Sequence, residues 1–202
     1  MKRLLLLILV TAIQNTFAQD SLNNSGWFSL GGRSSMSTFD SDGFGMGTGG
    51  QFRIQLSNSV NTDWFADYIS INVQDKVRSE YFHIGWSVLL YPFKRLQSQK
   101  IIQPYILAGH CFDYNKKTIL SNNIYFDRWG SAVQAGIGTH FNLTKRFDVS
   151  LTCQYMIHLT GEIETEINGN NVHLIKHNDV DFEGHLLTTL SLNYKIGRLW
   201  KR

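Results

Sequence analysis

A histidine followed at the second position by a hydroxyl side chain is the first feature of this sequence that could do chemistry. His158, Leu159 and Thr160 stand in that order, and glutamates follow at every second position. These glutamates are Glu162, Glu164 and Glu166. In hydrolases with a hydroxyl nucleophile, a histidine accepts the hydroxyl proton and a carboxylate orients the histidine. The spacing permits such a site, but the simpler interpretation is a histidine whose hydrogen bonds are satisfied within a folded sheet.

A second group of candidate ligands lies in a polar stretch further along the chain. It consists of His173, His177, Asp179 and Asp181. Imidazole and carboxylate groups bind transition metals in proteins. The spacing does not match a recognised ligand pattern, and solvated loop side chains are the commoner arrangement. We therefore expect neither a metal nor another cofactor.

A third group consists of charged residues of both signs that alternate with apolar residues along several segments. It contains Arg53, Arg128, Asp148, Glu183 and Lys195. The same alternating positions also carry Gln51, Gln55, His83, Gln134, His140, Gln154, His158 and His185. If these side chains share one interior, opposite charges, amides and imidazoles can pair with each other. The pattern therefore predicts an internal polar network rather than a catalytic site.

The elements that would position these side chains are long strands. Residues 147–159 carry an apolar side chain at every odd position from Phe147 to Leu159, and residues 128–142 and 182–196 repeat the alternation. This period of two is typical of a strand with two different faces. The runs are about 12 to 15 residues long, whereas soluble strands have roughly 5 or 6. A tilted strand that crosses a bilayer needs roughly 9 to 11 residues.

Weaker alternation predicts five further strands, which gives about eight in all, an even number as in bacterial single-chain barrels. These strands cover residues 26–36, 46–56, 63–74, 80–91 and 102–113. The expected inner turns are 57–62, 92–100 and 143–146, and the expected outer loops are 37–45, 75–79, 114–127 and 160–181. Short inner turns and longer outer loops are the asymmetry of outer-membrane barrels.

The N-terminus has the pattern of a secretory signal peptide. Lys2 and Arg3 precede an apolar run from Leu4 to Val10, and Thr16-Phe17-Ala18 fits a cleavage site with small residues. We therefore predict a cleaved signal peptide at residues 1–18 and one barrel domain at residues 19–202. Past this segment no apolar run approaches the roughly 18 residues of a spanning helix.

The charge balance and the cysteine content further restrict the class of protein. Without Lys2 and Arg3 the chain carries 17 basic and 16 acidic residues, and no basic run is present. This balance argues against a nucleic-acid partner. Cys111 and Cys153 fall on strands that are not expected to be neighbours, so we predict two unpaired buried thiols.

Aromatic residues fall near the strand ends, where two girdles at the membrane surfaces would place them. The inner set is Trp27, Phe28, Trp64, Tyr91, Phe93, Tyr105, Phe141, Phe147, Tyr194 and Trp200, and the outer set is Tyr81, Phe82, Phe112, Tyr125, Phe126, Trp129 and Phe182. A sheet can lie in a bilayer only if its edges pair with each other. We therefore predict an all-β, up-and-down antiparallel transmembrane β-barrel of about eight strands with a polar plugged lumen.

The sequence resembles small outer-membrane β-barrel proteins of the OmpA-transmembrane-domain, OmpX and PorT-like group. The resemblance is carried by Gly-Trp-Phe at 26–28, Gly-Trp-Ser at 85–87, Pro-Tyr-Ile-Leu-Ala-Gly at 104–109 and the amphipathic last strand. It implies an outer-membrane location, with outer-membrane lipid and the assembly machinery of that membrane as partners. His158 with the downstream glutamates loosely resembles the outer-membrane lipid A deacylases, although Thr160 stands where those enzymes have serine.

Three functions remain open at this stage. The first is a non-enzymatic outer-membrane barrel whose outer loops bind a partner, with 160–181 the expected protein-binding loop, or protect the surface. The second is an outer-leaflet lipid A hydrolase. The third is a secreted soluble barrel that holds a small apolar ligand, because alternation alone does not decide which face points inward.

Overall fold

Long antiparallel strands make up almost all of the structure. The computed structural model describes residues 25–39, 43–93, 101–161, 163–168, 171–176 and 184–200. The predicted signal peptide lies outside this part of the chain. The strands are β1 (Trp27–Phe39), β2 (Gly43–Gln55), β3 (Val60–Val73), β4 (Val77–Leu90), β5 (Ile102–Ile119), β6 (Tyr125–Asn142), β7 (Phe147–His158), β8 (Ile163–Asn168), β9 (Asn171–Lys176) and β10 (Gly184–Arg198).

Eight of these strands form a closed barrel in the order β1-β10-β7-β6-β5-β4-β3-β2. Every neighbouring pair is antiparallel, and β1 closes the ring by pairing with both β2 and β10. Closure leaves no unpaired edge, which is the condition for placing a sheet in a bilayer. The predicted all-β, eight-stranded, up-and-down barrel is confirmed.

The strands extend further on the outer side than the sequence predicted. β5 and β6 pair as far as Thr118 and Tyr125, so residues 120–124 alone join them. The expected loop 114–127 is therefore wrong, because Lys116 and Asp127 continue the ladder as a cross-strand pair. Within the expected loop 160–181, β8 and β9 form a separate two-stranded sheet rather than a continuation of β7 and β10.

The β3–β4 connection is a tight turn. Gln74 and Asp75 have φ angles of 50° and 54°, and the Lys76 amide donates to the Val73 carbonyl at 3.0 Å. Two successive left-handed residues give the type I′ turn that suits twisted hairpins. Non-glycine residues adopt this conformation at a steric cost.

The exterior of the barrel is apolar. Large exposed side chains include Leu30, Phe52, Ile84, Ile106, Ile137, Leu151, Leu190 and Leu192. An outer row of rings runs Tyr68–Phe82–Tyr114–Trp129, with centroids 4.7, 6.1 and 5.0 Å apart. An inner row runs Phe52–Trp64–Trp86. The apolar face therefore points outward, which excludes the soluble carrier with an apolar interior.

Three tyrosines depart from the predicted girdles. Tyr81, Tyr91 and Tyr105 are each 3% exposed and point into the barrel. Their rings fill the lumen, and the hydroxyl groups of Tyr91 and Tyr105 have polar partners there. The girdle assignment of these three residues is wrong, because a tyrosine can close a narrow lumen as well as occupy a membrane surface.

Both cysteines are free thiols, as predicted. Cys111 is buried in the lumen, whereas Cys153 points outward and is half-buried, so the expectation that both are buried holds for Cys111 alone. The described chain contains no helix long and apolar enough to cross a membrane.

Candidate functional site: the barrel interior and the outer hairpins

The inner half of the lumen is organised around Arg53 on β2. Its Nε donates to Asp63 Oδ1 on β3 at 2.6 Å, and its second terminal nitrogen donates to Asp63 Oδ2 at 3.1 Å. The other terminal nitrogen donates to Asp148 Oδ1 on β7 at 3.1 Å. The Arg53 and Asp148 side chains are 6% and 1% exposed. One guanidinium therefore links two carboxylates on opposite walls of the barrel.

Amide side chains extend this network to β10. Asn193 donates to Asp148 Oδ1 at 2.9 Å, and Gln51 on β2 donates to Asn193 Oδ1 at 2.6 Å. Lys195 Nζ lies 3.9 Å from Asp148 Oδ2. Asp148 is thus the acceptor that the inner network shares among three strands.

A histidine and a tyrosine close the lumen on the β4–β6 side. His140 Nδ1 lies 2.6 Å from Ser150 Oγ, and its Nε2 lies 2.8 Å from the Tyr91 hydroxyl. The Asn61 amide also donates to that hydroxyl. Because both nitrogens of His140 have partners, this imidazole acts as a fixed cross-link.

The middle of the lumen contains a further ion pair and an amide bridge. Arg33 Nε lies 2.9 Å from Asp67 Oδ1, and the guanidinium lies 4.5 Å from the centre of the Phe65 ring. On another part of the wall, Gln154 on β7 donates to Gln134 on the neighbouring strand β6 at 2.8 Å, and Gln134 donates to Ser87 on β4 at 2.7 Å. Polar side chains of nearby strands therefore pair in the middle of the lumen.

Two small cavities are lined by described residues of this interior. One of about 20 Å³ is lined by residues that include Arg33, Gln51 and Gln154. The other, of about 30 Å³, is lined by residues that include Arg53, His140 and Lys195. Cavities of this size hold one or two water molecules.

The outer half of the lumen combines an apolar layer with a histidine cluster. The buried apolar side chains are Phe65, Ile69, Ile71, Tyr81, Cys111, Ala132, Met156 and Leu187. His158 Nδ1 lies 3.1 Å from Asp113 Oδ2, and its Nε2 lies 3.0 Å from His185 Nδ1. The His83 ring stacks on the His185 ring at a centroid distance of 5.8 Å.

The hydrolase geometry proposed for His158 is not assembled. Both ring nitrogens face lumen groups, Asp113 on one side and His185 on the other, so neither is hydrogen-bonded to Thr160. Glu164 and Glu166 lie on β8, and Glu162 lies outside the described residues. His158 is a lumen histidine with two hydrogen-bond partners.

Of the four candidate metal ligands, the structure describes His173 alone. His173 is exposed on β9, and His177, Asp179 and Asp181 lie outside the described residues. In the described part of the chain, no group of three or more His, Cys, Asp or Glu side chains is placed to hold a metal ion.

Three of the five residues predicted to form the lumen network lie together. Arg53, Asp148 and Lys195 meet at the inner end of the barrel. Arg128 is half-buried near the outer end of β6, opposite Asn115, and does not join them. Glu183 lies outside the described residues.

The sequence reasoning missed several members of the network. They are Arg33, Asp63, Asp67, Asn61, Tyr91 and Asn193. Asp63 and Asp67 do alternate with Trp64, Ala66 and Tyr68 on β3, which is the pattern of lumen-facing residues. Because the alternation of β3 as a whole is weak, the sequence did not assign these two residues to the lumen.

Two hairpins project from the outer end. β5 and β6 have 18 residues each, against 13 in β1 and β2. The tip of the β5–β6 hairpin exposes the apolar side chains of Leu120, Ile124, Tyr125 and Phe126. The β8–β9 hairpin exposes Glu164, Glu166, His173 and Ile175. Lys176 on β9 donates to the Asp127 carbonyl of β6, which holds the two hairpins together.

No model of a known protein family matches the sequence, and no curated protein sequence matches it either. Similar folds are found among solved structures. The outer membrane protein OprG from Pseudomonas aeruginosa aligns with a TM-score of 0.53 at 15% identity, over 85% of this chain and 96% of OprG.

Two further structures agree. The attachment invasion locus protein Ail of Yersinia pestis aligns with a TM-score of 0.50 at 12% identity, over 84% of this chain and 97% of Ail. Neisserial surface protein A aligns with a TM-score of 0.50 at 14% identity, over 85% of this chain and 98% of that protein. The chain therefore has the fold of the small outer-membrane β-barrels that it was predicted to resemble, and its apolar exterior and polar interior are those of a barrel that lies in the outer membrane.

Proposed function

We propose that the protein is a non-enzymatic integral outer-membrane barrel whose lumen is closed and whose outer hairpins bind a partner. The observation that carries this proposal is the Arg53 network, which joins opposite walls of the barrel through Asp63 and Asp148. A protein whose interior is filled by paired side chains offers soluble molecules only its two ends, and the long hairpins project from the outer end.

The closed lumen is supported by the paired charges and by cavity sizes. A solute channel needs a continuous water-filled path, whereas the two cavities lined by described lumen residues measure about 20 and 30 Å³. An eight-stranded barrel is just wide enough for side chains to fill its interior. The apolar layer that includes Met156 and Leu187 adds a second barrier in the outer half.

Conductance across planar lipid bilayers tests the closed lumen. The purified barrel should produce no discrete conductance steps, while an open porin reconstituted in parallel provides the positive control. A heat-dependent change in gel migration would establish that the inserted protein is folded. Regular ion-conducting steps from folded protein would contradict a closed lumen.

Binding at the outer end is supported by the apolar tip of the β5–β6 hairpin. Ile124 and Tyr125 are 50% and 57% exposed. The tip lies beyond the outer row of rings and so outside the membrane, where lipid cannot cover these apolar side chains. Exposed apolar side chains that cluster at a projecting tip are typical of protein contact sites. The β8–β9 hairpin lies beside this tip and offers strand edges to which an extended segment could pair.

A surface-binding assay tests this part of the proposal. Cells that display the wild-type protein are compared with cells that display a variant with Ile124→Ser, Tyr125→Ser and Phe126→Ser, on immobilised proteins and glycans. The variant should lose binding because its tip no longer buries apolar area. Equal binding by the two strains, at equal surface levels, would refute a role for the tip.

A further inference from the structure

His110 is an ionisable residue on the lipid-facing side of the barrel. It lies on β5, where Ile106, Ala108 and Phe112 share its outward face. Its strand neighbours are Trp86 on β4 and Val133 on β6, both of which also point outward. The His110 side chain is half-buried between these apolar groups.

The depth of His110 follows from its position along β5. Tyr114, in the outer row of rings, is four residues further along the strand. With a rise of about 3.3 Å per residue and a tilt of about 40°, the imidazole lies roughly 10 Å below that row. Ile106 and Ile102 continue the apolar face toward the inner side. His110 is therefore within the hydrocarbon layer, too deep for its ring to reach the headgroups.

The imidazole has no hydrogen-bond partner among the described residues. Within the described part of the chain, its ring makes an edge contact with the Phe112 ring, with centroids 5.0 Å apart. A neutral imidazole carries one N–H donor and one acceptor nitrogen. In hydrocarbon neither group can bond to water or to a lipid tail, so the side chain is costly unless another protein group reaches it.

A second copy of this chain supplies such a group at the correct depth. When two barrels in one membrane are related by a two-fold axis along the membrane normal, every residue has its counterpart at the same depth, and a residue beside the axis faces that counterpart directly. The imidazole can donate to an identical imidazole through one N–H···N bond. Beside His110, Ala108 and Ala135 form a cross-strand pair of small outward side chains, which lets two barrel walls approach closely.

We propose that the lipid-facing surface of β4, β5 and β6 around His110 is the interface of a homodimer in the membrane. This interface depends neither on the closed lumen nor on the outer hairpins. The homodimer can therefore be refuted while the proposed function holds, and the proposed function can be refuted while the homodimer holds.

Disulfide cross-linking in isolated outer membranes tests the interface. Cys111 and Cys153 are first replaced by serine, and a single cysteine is introduced by Ala108→Cys. The matched control is Ser34→Cys on β1, which also faces lipid but lies four strands away in the ring of eight. Oxidation with copper phenanthroline and oxygen should yield about tenfold more cross-linked dimer from Ala108→Cys than from Ser34→Cys.

Variants of His110 then test the role of the imidazole. Adding His110→Leu should lower the dimer yield about tenfold, in line with one hydrogen bond between polar side chains in a membrane. Adding His110→Asn, which keeps a donor and an acceptor, should retain most of the yield. Sedimentation of the wild type and His110→Leu in micelles should give a dimer and a monomer, respectively.

The outcomes are distinct. Equal cross-linking at positions 108 and 34, a monomeric wild type, or a dimer unaffected by His110→Leu would each overturn the proposal. A heat-dependent gel shift for every variant establishes that lost cross-linking is not lost folding. His110→Leu places an apolar side chain on an apolar surface, so the barrel itself should form normally.

Discussion

Replacing Arg53 with methionine should be among the most destabilising single changes in the barrel. Methionine keeps much of the side-chain length but removes the guanidinium. Asp63 then loses both of its bonds to Arg53, at 2.6 and 3.1 Å, and Asp148 loses one at 3.1 Å. Removing one partner of a buried ion pair costs about 3–5 kcal/mol, because the remaining charge stays buried without its partner.

The structure indicates where in this range the loss of stability should fall. Asp148 keeps Asn193 as a donor and Lys195 at 3.9 Å, so the main loss falls on Asp63. We therefore expect Arg53→Met to lower the free energy of unfolding by about 3 kcal/mol, the lower end of the range for a broken buried pair. The double variant Arg53→Met, Asp63→Asn should recover at least about 1 kcal/mol, since one buried charge is removed.

Equilibrium unfolding in urea, with the protein in lipid vesicles and tryptophan fluorescence as the probe, measures these differences. Arg146→Met is the control, because Arg146 is exposed in the β6–β7 turn and should change the free energy by less than about 0.5 kcal/mol. A loss below about 1 kcal/mol for Arg53→Met would refute the reasoning. So would a double variant no more stable than the single one.

Three further changes have clear expected outcomes. Gly138→Val should lower the unfolding midpoint in urea, because a side chain at Gly138 would overlap the Tyr105 ring; no shift would show that the ring can move aside. Asp75→Gly should raise stability by about 0.5–1 kcal/mol in the same assay, because glycine adopts the left-handed conformation of that turn without steric cost. His158→Ala should leave the lipid A profile of expressing cells unchanged in mass spectrometry, because His158 faces the lumen. An altered acyl pattern would instead support the lipid A hydrolase.

The strands that could be predicted best are those with strict alternation between lipid and lumen. β7 and β10 alternate almost without exception, and their predicted spans agree with the structure within a few residues. The ends of β5 and β6 could not be predicted, because outside the membrane the outward face also carries polar side chains. There the polarity of Lys116 and Asp127 no longer distinguishes a strand from a loop.

The lumen network could be predicted in kind but not in its pairs. Arg53 and Asp148 are 95 residues apart in sequence, and they meet because the stagger between strands brings β2 and β7 to the same level. Alternation assigns a side chain to a face and says nothing about this stagger. The inward apolar layer was equally hidden, since Ile69 and Met156 on a lumen face look the same in sequence as residues that face lipid.

The first and last strands of the barrel, β1 and β10, pair with each other, so the ends of the described chain lie side by side. Leu199 donates to the Gly26 carbonyl at 2.7 Å, and Trp27 pairs with Arg198. A short peptide linker could therefore join these two ends, and the gene could be cut instead at the β6–β7 turn, 143–146. Such a circular permutant would have the same neighbours around the ring and both new termini on the same side of the membrane. Closure thus makes the cyclic order of strands the property that the fold must conserve.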